Sequence, residues 1–127
     1  MKTRTPRDET LFSDLIGKVI YRIDYREDDE ELWIHCMDDS RYVMGHDQDC
    51  CENVTLENPA QDLSSIVGSP VLVAEARYVS LEYERYRIWK VFTFYHLSTR
   101  KASIVLRWYG ESDGTYAVDV GFWKVDP

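Results

Sequence analysis

Residues 19–26 alternate between apolar or aromatic and charged side chains, and this pattern constrains the fold more than any other feature. A period of two places successive side chains on opposite faces, which predicts a half-buried β-strand. The same alternation returns from Tyr116 to Phe122. Aromatic residues make up 13% of the chain, and they favour strands because they cover a pleated surface well. The sequence therefore predicts a sheet protein.

Polar segments separate further strand-like runs. The acidic segment Glu27–Glu31 is predicted to be an exposed turn, because like charges repel across paired strands. Asp38-Asp39-Ser40 lies between strand-like residues 32–37 and 41–46, which predicts a hairpin. The remaining predicted strands are 53–57, 71–83, 87–97, 102–109 and 116–125, with Gly110–Gly114 as a hairpin turn between the last two.

Two short helices are also predicted. Apolar residues at helical spacing followed by Gly17 indicate a helix over about 10–16. Asn58 and Pro59 occupy positions suited to a helix N-terminus, which predicts a second helix over about 59–67. The expected fold is α+β, mainly antiparallel β, with seven or eight strands in a meander-type sheet or a partly closed barrel and these two short helices.

The chain length of 127 residues suits a single domain spanning residues 1–127, with residues 1–9 expected as a flexible tail. No apolar run reaches the roughly 18 residues that a membrane helix needs, and the N-terminus is charged, so we expect a cytoplasmic protein. The three cysteines are an odd number, and adjacent Cys50 and Cys51 would point in opposite directions on a strand. A disulfide framework is therefore not expected.

The formal net charge is −8, which disfavours direct binding of nucleic acid or anionic membrane because both require surplus basic side chains. Residues 1–60 contain 7 basic and 15 acidic side chains, whereas residues 61–127 contain 8 of each, so the excess acid lies in the first half. The acidic segment is therefore a candidate partner-binding patch or a mimic of nucleic-acid charge, although such runs are commonly solvated loops. Its members are Glu27, Asp28, Asp29, Glu30 and Glu31.

The densest polar cluster is His46-Asp47-Gln48-Asp49-Cys50-Cys51-Glu52, termed here the His46–Glu52 loop. Its imidazole, carboxylate and thiol groups could ligate a divalent metal, with His46, Cys50 and Cys51 as candidates. A second interpretation is a cysteine nucleophile with a histidine base. The third is a loop whose polar side chains satisfy backbone groups, and this structural interpretation is favoured.

Common enzyme motifs are absent from the sequence, including phosphate-binding glycine loops and the Gly-x-Ser-x-Gly elbow. His35 and His96 stand alone, so no paired metal-ligand element is present in the sequence. We expect a non-enzymatic protein without a cofactor, with a metal- or thiol-dependent enzyme as the alternative.

A second cluster, Arg107-Trp108-Tyr109-Gly110-Glu111-Ser112-Asp113-Gly114-Thr115-Tyr116, surrounds the predicted last turn. Its aromatic rings could form a stacking wall for a planar ligand, with an arginine available for phosphate. Cross-strand packing of the same aromatics is the alternative. The predicted ligand contacts are Arg107, Trp108, Tyr109 and Tyr116, together with His46, Gln48 and Asp49 of the neighbouring loop.

Over about residues 14–122 the chain resembles a family of small proteins of unknown function from bacteriophages, prophages and their hosts. The two clusters carry most of the resemblance; Thr115 and Asp113 depart from it, since relatives usually have an aromatic residue and often an Asn there. Weaker likeness comes from Asp62-Leu63 followed by Val67-Gly68-Ser69-Pro70, and from Phe92-Thr93-Phe94-Tyr95 with Thr99.

The resemblance implies a setting rather than an activity. A small phage-type protein without catalytic motifs is expected to act by binding in the host cytoplasm, in counter-defence. The expected partner is a host defence protein that it inhibits or a small nucleotide-like signal that it sequesters. Self-association is a further alternative.

Overall fold

The computed structural model describes residues 6–83 and 88–126, and for Tyr83 it describes the backbone alone. Nine strands and two single 3₁₀ turns lie in these ranges. The predicted start of a strand at residue 87 lies outside them. The strands are β1 Arg7–Glu9, β2 Ile20–Arg26, β3 Glu31–Cys36, β4 Arg41–Gly45, β5 Asn53–Leu56, β6 Val73–Tyr83, β7 Ile88–Ser98, β8 Ser103–Ser112 and β9 Gly121–Val125.

The strands form two antiparallel sheets. The first has the order β1-β9-β4-β3-β2 and the second has the order β5-β8-β7-β6. The meander β2-β3-β4, with its hairpin at Asp38–Ser40, is confirmed, and so is the strand at β5. Neither sheet closes into a barrel within the described ranges. The fold is mainly antiparallel β.

The core lies between the inner faces of the two sheets. Alternate residues point into it: Leu32 and Ile34 from β3 and Leu97 from β7 are fully buried. From β8, Trp108 contributes its whole side chain, and its indole Nε1 donates to the sulfur of Met44 at 3.1 Å. The two sheets are therefore held together mainly by apolar burial, which the high aromatic content supplies.

The first predicted helix, 10–16, is wrong. Only Phe12–Leu15 form a 3₁₀ turn, and its two buried side chains are Phe12 and Leu15. A spacing of three residues is satisfied by one tight turn as well as by a helix. Gly17, with φ of 88°, then turns the chain, and its amide donates to the carbonyl oxygen of Val71 at 2.8 Å.

The second predicted helix, 59–67, is also wrong, because the residues expected to cap it serve another purpose. Asn58 bonds to strand β8: its Nδ2 donates to the carbonyl oxygen of Val105 at 2.8 Å, and the amide of Arg107 donates to its Oδ1 at 2.9 Å. The helical part is the 3₁₀ turn Leu63–Ile66, which is capped by Asp62.

The predicted hairpin at Gly110–Gly114 does not form, because β8 and β9 belong to different sheets. Residues 113–120, termed the crossing segment, carry the chain between them. A Cβ atom on Gly110 would lie 2.7 Å from the Cβ of Val118, so glycine is required where this segment passes over β8. Strand β9 starts at Gly121 and is thus shorter than the predicted 116–125.

The N-terminal region differs in part from the expected tail. Residues 1–5 lie outside the described ranges, whereas Arg7–Glu9 form β1 and pair with β9. Arg7 also forms an ion pair with Glu31 at 3.0 Å. No helix in the described part of the chain has the length and apolarity needed to cross a membrane.

Candidate functional site

Glu52 organises the His46–Glu52 loop. Its side chain has no exposed surface, and its carboxylate accepts hydrogen bonds from the amides of Asp49 and Cys50 at 2.9 and 2.8 Å. The side-chain amide of Gln48 donates to the Glu52 backbone oxygen at 2.6 Å. Desolvation raises the pKa of Glu52, but the donors from Asp49, Cys50 and His46 outweigh it and lower the pKa to about 2.

His46 joins this loop to the crossing segment. Its Nε2 lies 2.7 Å from a carboxylate oxygen of Glu52, and its Nδ1 lies 2.6 Å from the backbone oxygen of Asp119. A backbone oxygen can only accept, so Nδ1 donates to Asp119 while Nε2 faces the carboxylate. The side chain of His46 is 6% exposed. The imidazole is therefore a structural link, with neither nitrogen available to a ligand.

The two adjacent cysteines do not form part of a metal site in this structure. Cys50 and Cys51 are bonded to each other as a disulfide, and Cys36 is a buried free thiol. The bond closes no long loop, so it is not a disulfide framework, yet neither sulfur is a thiolate in this form. Within residues 6–83 and 88–126, no three His, Cys, Asp or Glu side chains are grouped as metal ligands.

The predicted aromatic wall is divided between the two faces of β8. Trp108 points inward and has 0% exposure, so it cannot stack on a ligand without opening the core. Arg107 and Tyr109 lie on the outer face, where they bond to Glu57 at 3.0 Å and Glu111 at 2.6 Å respectively. Tyr116 is half-buried in the crossing segment. These four side chains therefore do not converge on one space.

The acidic segment lies beside the His46–Glu52 loop. Glu27 to Glu30 form the turn between β2 and β3, whereas Glu31 is the first residue of β3 and pairs with Arg7. A cleft of about 790 Å³ separates the turn from His46, Gln48 and β5. Four of the five predicted partner-binding residues, all but Glu31, and part of the predicted ligand-binding loop thus border one polar depression.

A second depression, the hairpin cavity, has a volume of about 490 Å³ and lies on the inner face of the β6-β7 hairpin. Three chain segments that are distant in sequence form its walls. From β6 come Ala76, Arg77, Tyr78 and Ser80; from β7 come Trp89, Val91, Thr93 and Tyr95; and from the crossing segment come Ala117, Asp119 and Val120.

The hairpin cavity combines aromatic walls with a few polar groups. The indole Nε1 of Trp89 donates to the Ser80 hydroxyl, which fixes the ring against β6. The Tyr95 hydroxyl donates to the Val120 backbone oxygen at 3.2 Å. Burial, and secondarily the charge of Asp119, raises the pKa of Tyr95. The Asp119 carboxylate therefore lies close enough to the cavity to act on groups inside it.

The hairpin cavity and the His46–Glu52 loop meet at Asp119. The side of Asp119 that faces the loop is its backbone oxygen, which His46 binds, and residues 119 and 120 also form a cavity wall. The His46–Glu52 loop therefore fixes the position of one cavity wall, although it lies outside the cavity.

The family described as Domain of unknown function (DUF7448) matches residues 13–122 of the chain. The chain belongs to this family. The matched part of the chain contains the His46–Glu52 loop, the hairpin cavity and the crossing segment, and it leaves out β1. No curated protein and no solved structure matches the chain significantly.

Sequence reasoning did not identify Tyr78, Trp89 or Asp119 of the DUF7448 domain as cavity residues. Each lies in a strand-like or loop segment without a recognisable motif. One signal was available. The alternate positions Ala76, Tyr78 and Ser80 lie on the inner face of β6, where large aliphatic core side chains would be expected, and this substitution by small or polar side chains indicates a cavity.

Proposed function

We propose that this chain is a non-enzymatic binding protein that sequesters a small, planar, nucleotide-like ligand in the hairpin cavity. The cavity itself carries the proposal. Its volume of about 490 Å³ lies in the range of pockets for small molecules, roughly 300 to 1,000 Å³. A nucleoside or a cyclic nucleotide would fill a space of this size.

The aromatic lining favours a flat ring as ligand. Tyr78 is 75% exposed although it lines the cavity, so its ring is accessible to a ligand that enters from solvent. Trp89 lies on the neighbouring strand with its ring held by Ser80. Stacking on an aromatic side chain is worth roughly 1 to 3 kcal/mol per base.

The polar groups favour a ring that donates hydrogen bonds. The Thr93 side chain is 9% exposed and lies at the cavity wall, where its hydroxyl can donate or accept a hydrogen bond. Asp119 supplies a carboxylate, which accepts from ring or exocyclic N–H groups. Arg77 at the rim is a cation within reach of a phosphate. A nucleobase with a phosphate directed toward solvent would use all three groups.

Thermal unfolding with a panel of nucleosides, cyclic nucleotides and ADP-ribose-type compounds tests this function. A ligand that binds only the folded state at a hundredfold excess over its Kd adds about 2.7 kcal/mol, which raises the melting temperature by roughly 10 °C. Tyr78→Ala should remove most of the shift. Leu72→Ala, which also truncates an exposed apolar side chain but lies outside the cavity, should keep it. An absence of shift across the panel would refute sequestration.

A second candidate function is inhibition of a basic partner protein through the acidic segment. The exposed carboxylates of Glu27, Asp28 and Glu30 support it, because they border the polar cleft of about 790 Å³ and attract basic surfaces. In the phage-type setting implied by the resemblance, either function would serve counter-defence. Neutralising these three residues should weaken partner capture while leaving nucleotide shifts unchanged; unaltered capture would argue against this candidate.

A further inference from the structure

We propose that the outer face of the five-stranded sheet β1-β9-β4-β3-β2 holds a phosphate site, in which Arg26 and Arg41 bind a phosphate group above Trp33. This face is the side of the sheet that is turned away from the core. Leu32 and Ile34 of β3 belong to the main core, whereas Trp33 between them packs in a separate small cluster on the opposite side. The hairpin cavity is formed by the other sheet and the crossing segment, so the two sites are distinct.

Three guanidinium groups lie over one indole ring. Arg26 extends from β2 over Trp33, and its guanidinium carbon is 4.1 Å from the ring centre. The guanidinium carbons of Arg7 on β1 and Arg41 on β4 lie 5.7 and 6.0 Å from the same ring. Aromatic faces attract cations. The indole therefore brings arginines from three strands together at one place on the sheet.

Two of these arginines have no carboxylate partner in the part of the chain that the structure describes. Arg7 forms an ion pair with Glu31 at 3.0 Å. Arg26 lies over the ring without an ion pair to a described residue, and Arg41 donates to the backbone oxygen of Asp126 at 3.4 Å. A phosphate monoester carries nearly two negative charges, and its oxygens match the planar fork of a guanidinium. The two charges on each side are therefore balanced.

Trp33 adds a hydrogen-bond donor at the same place. The residue is 2% exposed, and its Nε1 atom has no hydrogen-bond partner among the described residues. A buried N–H group without an acceptor is unfavourable. Phosphate oxygens are strong acceptors. Because Arg26 is an exposed side chain, it can move outward with the bound phosphate and let one oxygen accept from the indole.

His35 is the neighbour of this site on β3, and it senses the positive charge of the face. Burial is the largest cause that lowers the pKa of His35, and the charge of Arg22 is the next. Asp24 raises this pKa, whereas Arg41 and Arg26 lower it further. The face is therefore positive at this point, although the whole chain has a net charge of −8. A positive region of this kind attracts anions.

Titration with inorganic phosphate, followed by NMR of the indole N–H groups, tests the site. The chain has four Trp, and the signal of Trp33 is identified by its loss in Trp33→Phe. Phosphate should move this signal downfield because the N–H gains an acceptor, whereas sodium chloride at equal ionic strength should not. No movement at about 10 mM phosphate, which saturates a millimolar site, would overturn the proposal and leave the arginines as a cover for the indole.

Replacement of single arginines tests which groups bind the phosphate. Arg26→Gln and Arg41→Gln should each weaken phosphate binding at least about tenfold. Arg22→Gln is the matched control, because Arg22 is also an exposed arginine of β2 but pairs with Asp24 at 2.7 Å; its effect should stay below roughly threefold. Arg26→Lys keeps the charge without the fork and should retain part of the affinity. Equal losses in Arg22→Gln and Arg26→Gln would rule out the site.

Two sources of phosphate share this chemistry: a free phosphate ester, and a phosphorylated side chain of a partner protein. Glycerol phosphate and a phosphoserine peptide distinguish them, with the unphosphorylated peptide as control. Tighter binding of the phosphopeptide supports a partner protein, and equal binding supports a free ester. Equal binding of the two peptides would contradict a phosphate site.

The phosphate site and the proposed nucleotide function can fail separately. A nucleoside carries no phosphate, so it should bind in the hairpin cavity without moving the Trp33 signal. Tyr78→Ala removes a cavity side chain and should leave phosphate affinity unchanged. A loss of phosphate binding in Tyr78→Ala would place the phosphate in the cavity and refute the separate site.

Discussion

The Nδ1 atom of His46 donates a hydrogen bond to the backbone oxygen of Asp119 across 2.6 Å. This bond connects a loop between β4 and β5 with the segment that crosses from one sheet to the other. The other ring nitrogen of His46 lies against the buried carboxylate of Glu52. Through Asp119, the imidazole fixes the position of one wall of the hairpin cavity. The polar cluster that dominates the sequence thus supports the cavity without lining it.

Replacement of His46 should destabilise the fold. His46→Ala removes one of the four donors to the Glu52 carboxylate and the donor to the Asp119 backbone oxygen, so we expect a loss of about 1 to 3 kcal/mol in the free energy of unfolding. Urea denaturation measures it. Asp49→Ala is the matched control: its amide, not its side chain, binds Glu52, so its effect should stay below roughly 0.5 kcal/mol. Equal losses in both variants would contradict the structural role of His46.

Acid stability should depend on Glu52. Its pKa is about 2 in the folded protein, against an ordinary value of 4.5. Ionised Glu52 therefore contributes stability above pH 4.5, and this contribution is lost as the pH falls toward 2. Glu52→Gln should be less stable than the wild type at pH 7, with the difference shrinking between pH 4.5 and pH 2 in urea melts. A constant difference across that range would show that the carboxylate charge is irrelevant.

A side chain at position 110 should displace the crossing segment. In Gly110→Ala the new Cβ would approach the Val118 Cβ to 2.7 Å, and such overpacking costs about 1 to 3 kcal/mol. Thermal unfolding should reveal the loss. Ala117→Ser is the control, since it also adds one atom to an exposed residue of the same segment, and its effect should stay below roughly 0.5 kcal/mol. A stable Gly110→Ala variant would mean that the segment moves freely over β8.

Ligand affinity should depend on side chains that line the hairpin cavity and not on side chains of the outer face of β8. Asp119→Asn replaces a carboxylate by an amide, which accepts hydrogen bonds more weakly, so affinity for a ring with N–H donors should fall roughly tenfold. Arg107→Ala should change the affinity less than twofold, because Arg107 lies on the outer face and pairs with Glu57. Isothermal titration of both variants with the ligand found by thermal shift decides between the two sites. A strong effect of Arg107→Ala would favour the aromatic turn instead.

The strands were predictable where the pattern was local. Alternation over residues 19–26 predicts β2, and the polar tripeptide at Asp38 predicts the hairpin of β3 and β4. These predictions succeed because each strand pairs with a strand that is close to it in sequence. The second predicted helix failed, since Asn58 bonds to β8 and does not cap a following helical turn. Local capping signals cannot show which distant backbone group will compete for the same side chain.

The candidate site was predictable only in part. The His46–Glu52 loop is visible as a cluster, but the dominant role of Glu52 depends on its burial and on four donors that converge when the loop folds. The hairpin cavity has no sequence signature, because Tyr78, Trp89 and Asp119 come from three segments that meet only in the folded chain.

Strand β9 is inserted between β1 and β4, although most of the chain separates β4 from β9. During synthesis the β2-β3-β4 meander can form early, whereas its edge at β4 stays open until the last strand has left the ribosome. Such long-range pairing slows folding, and the unpaired edge of β4 can bind strands of other chains and cause aggregation. Expression at low temperature, or slower initiation of translation, should therefore increase the yield of correctly folded protein.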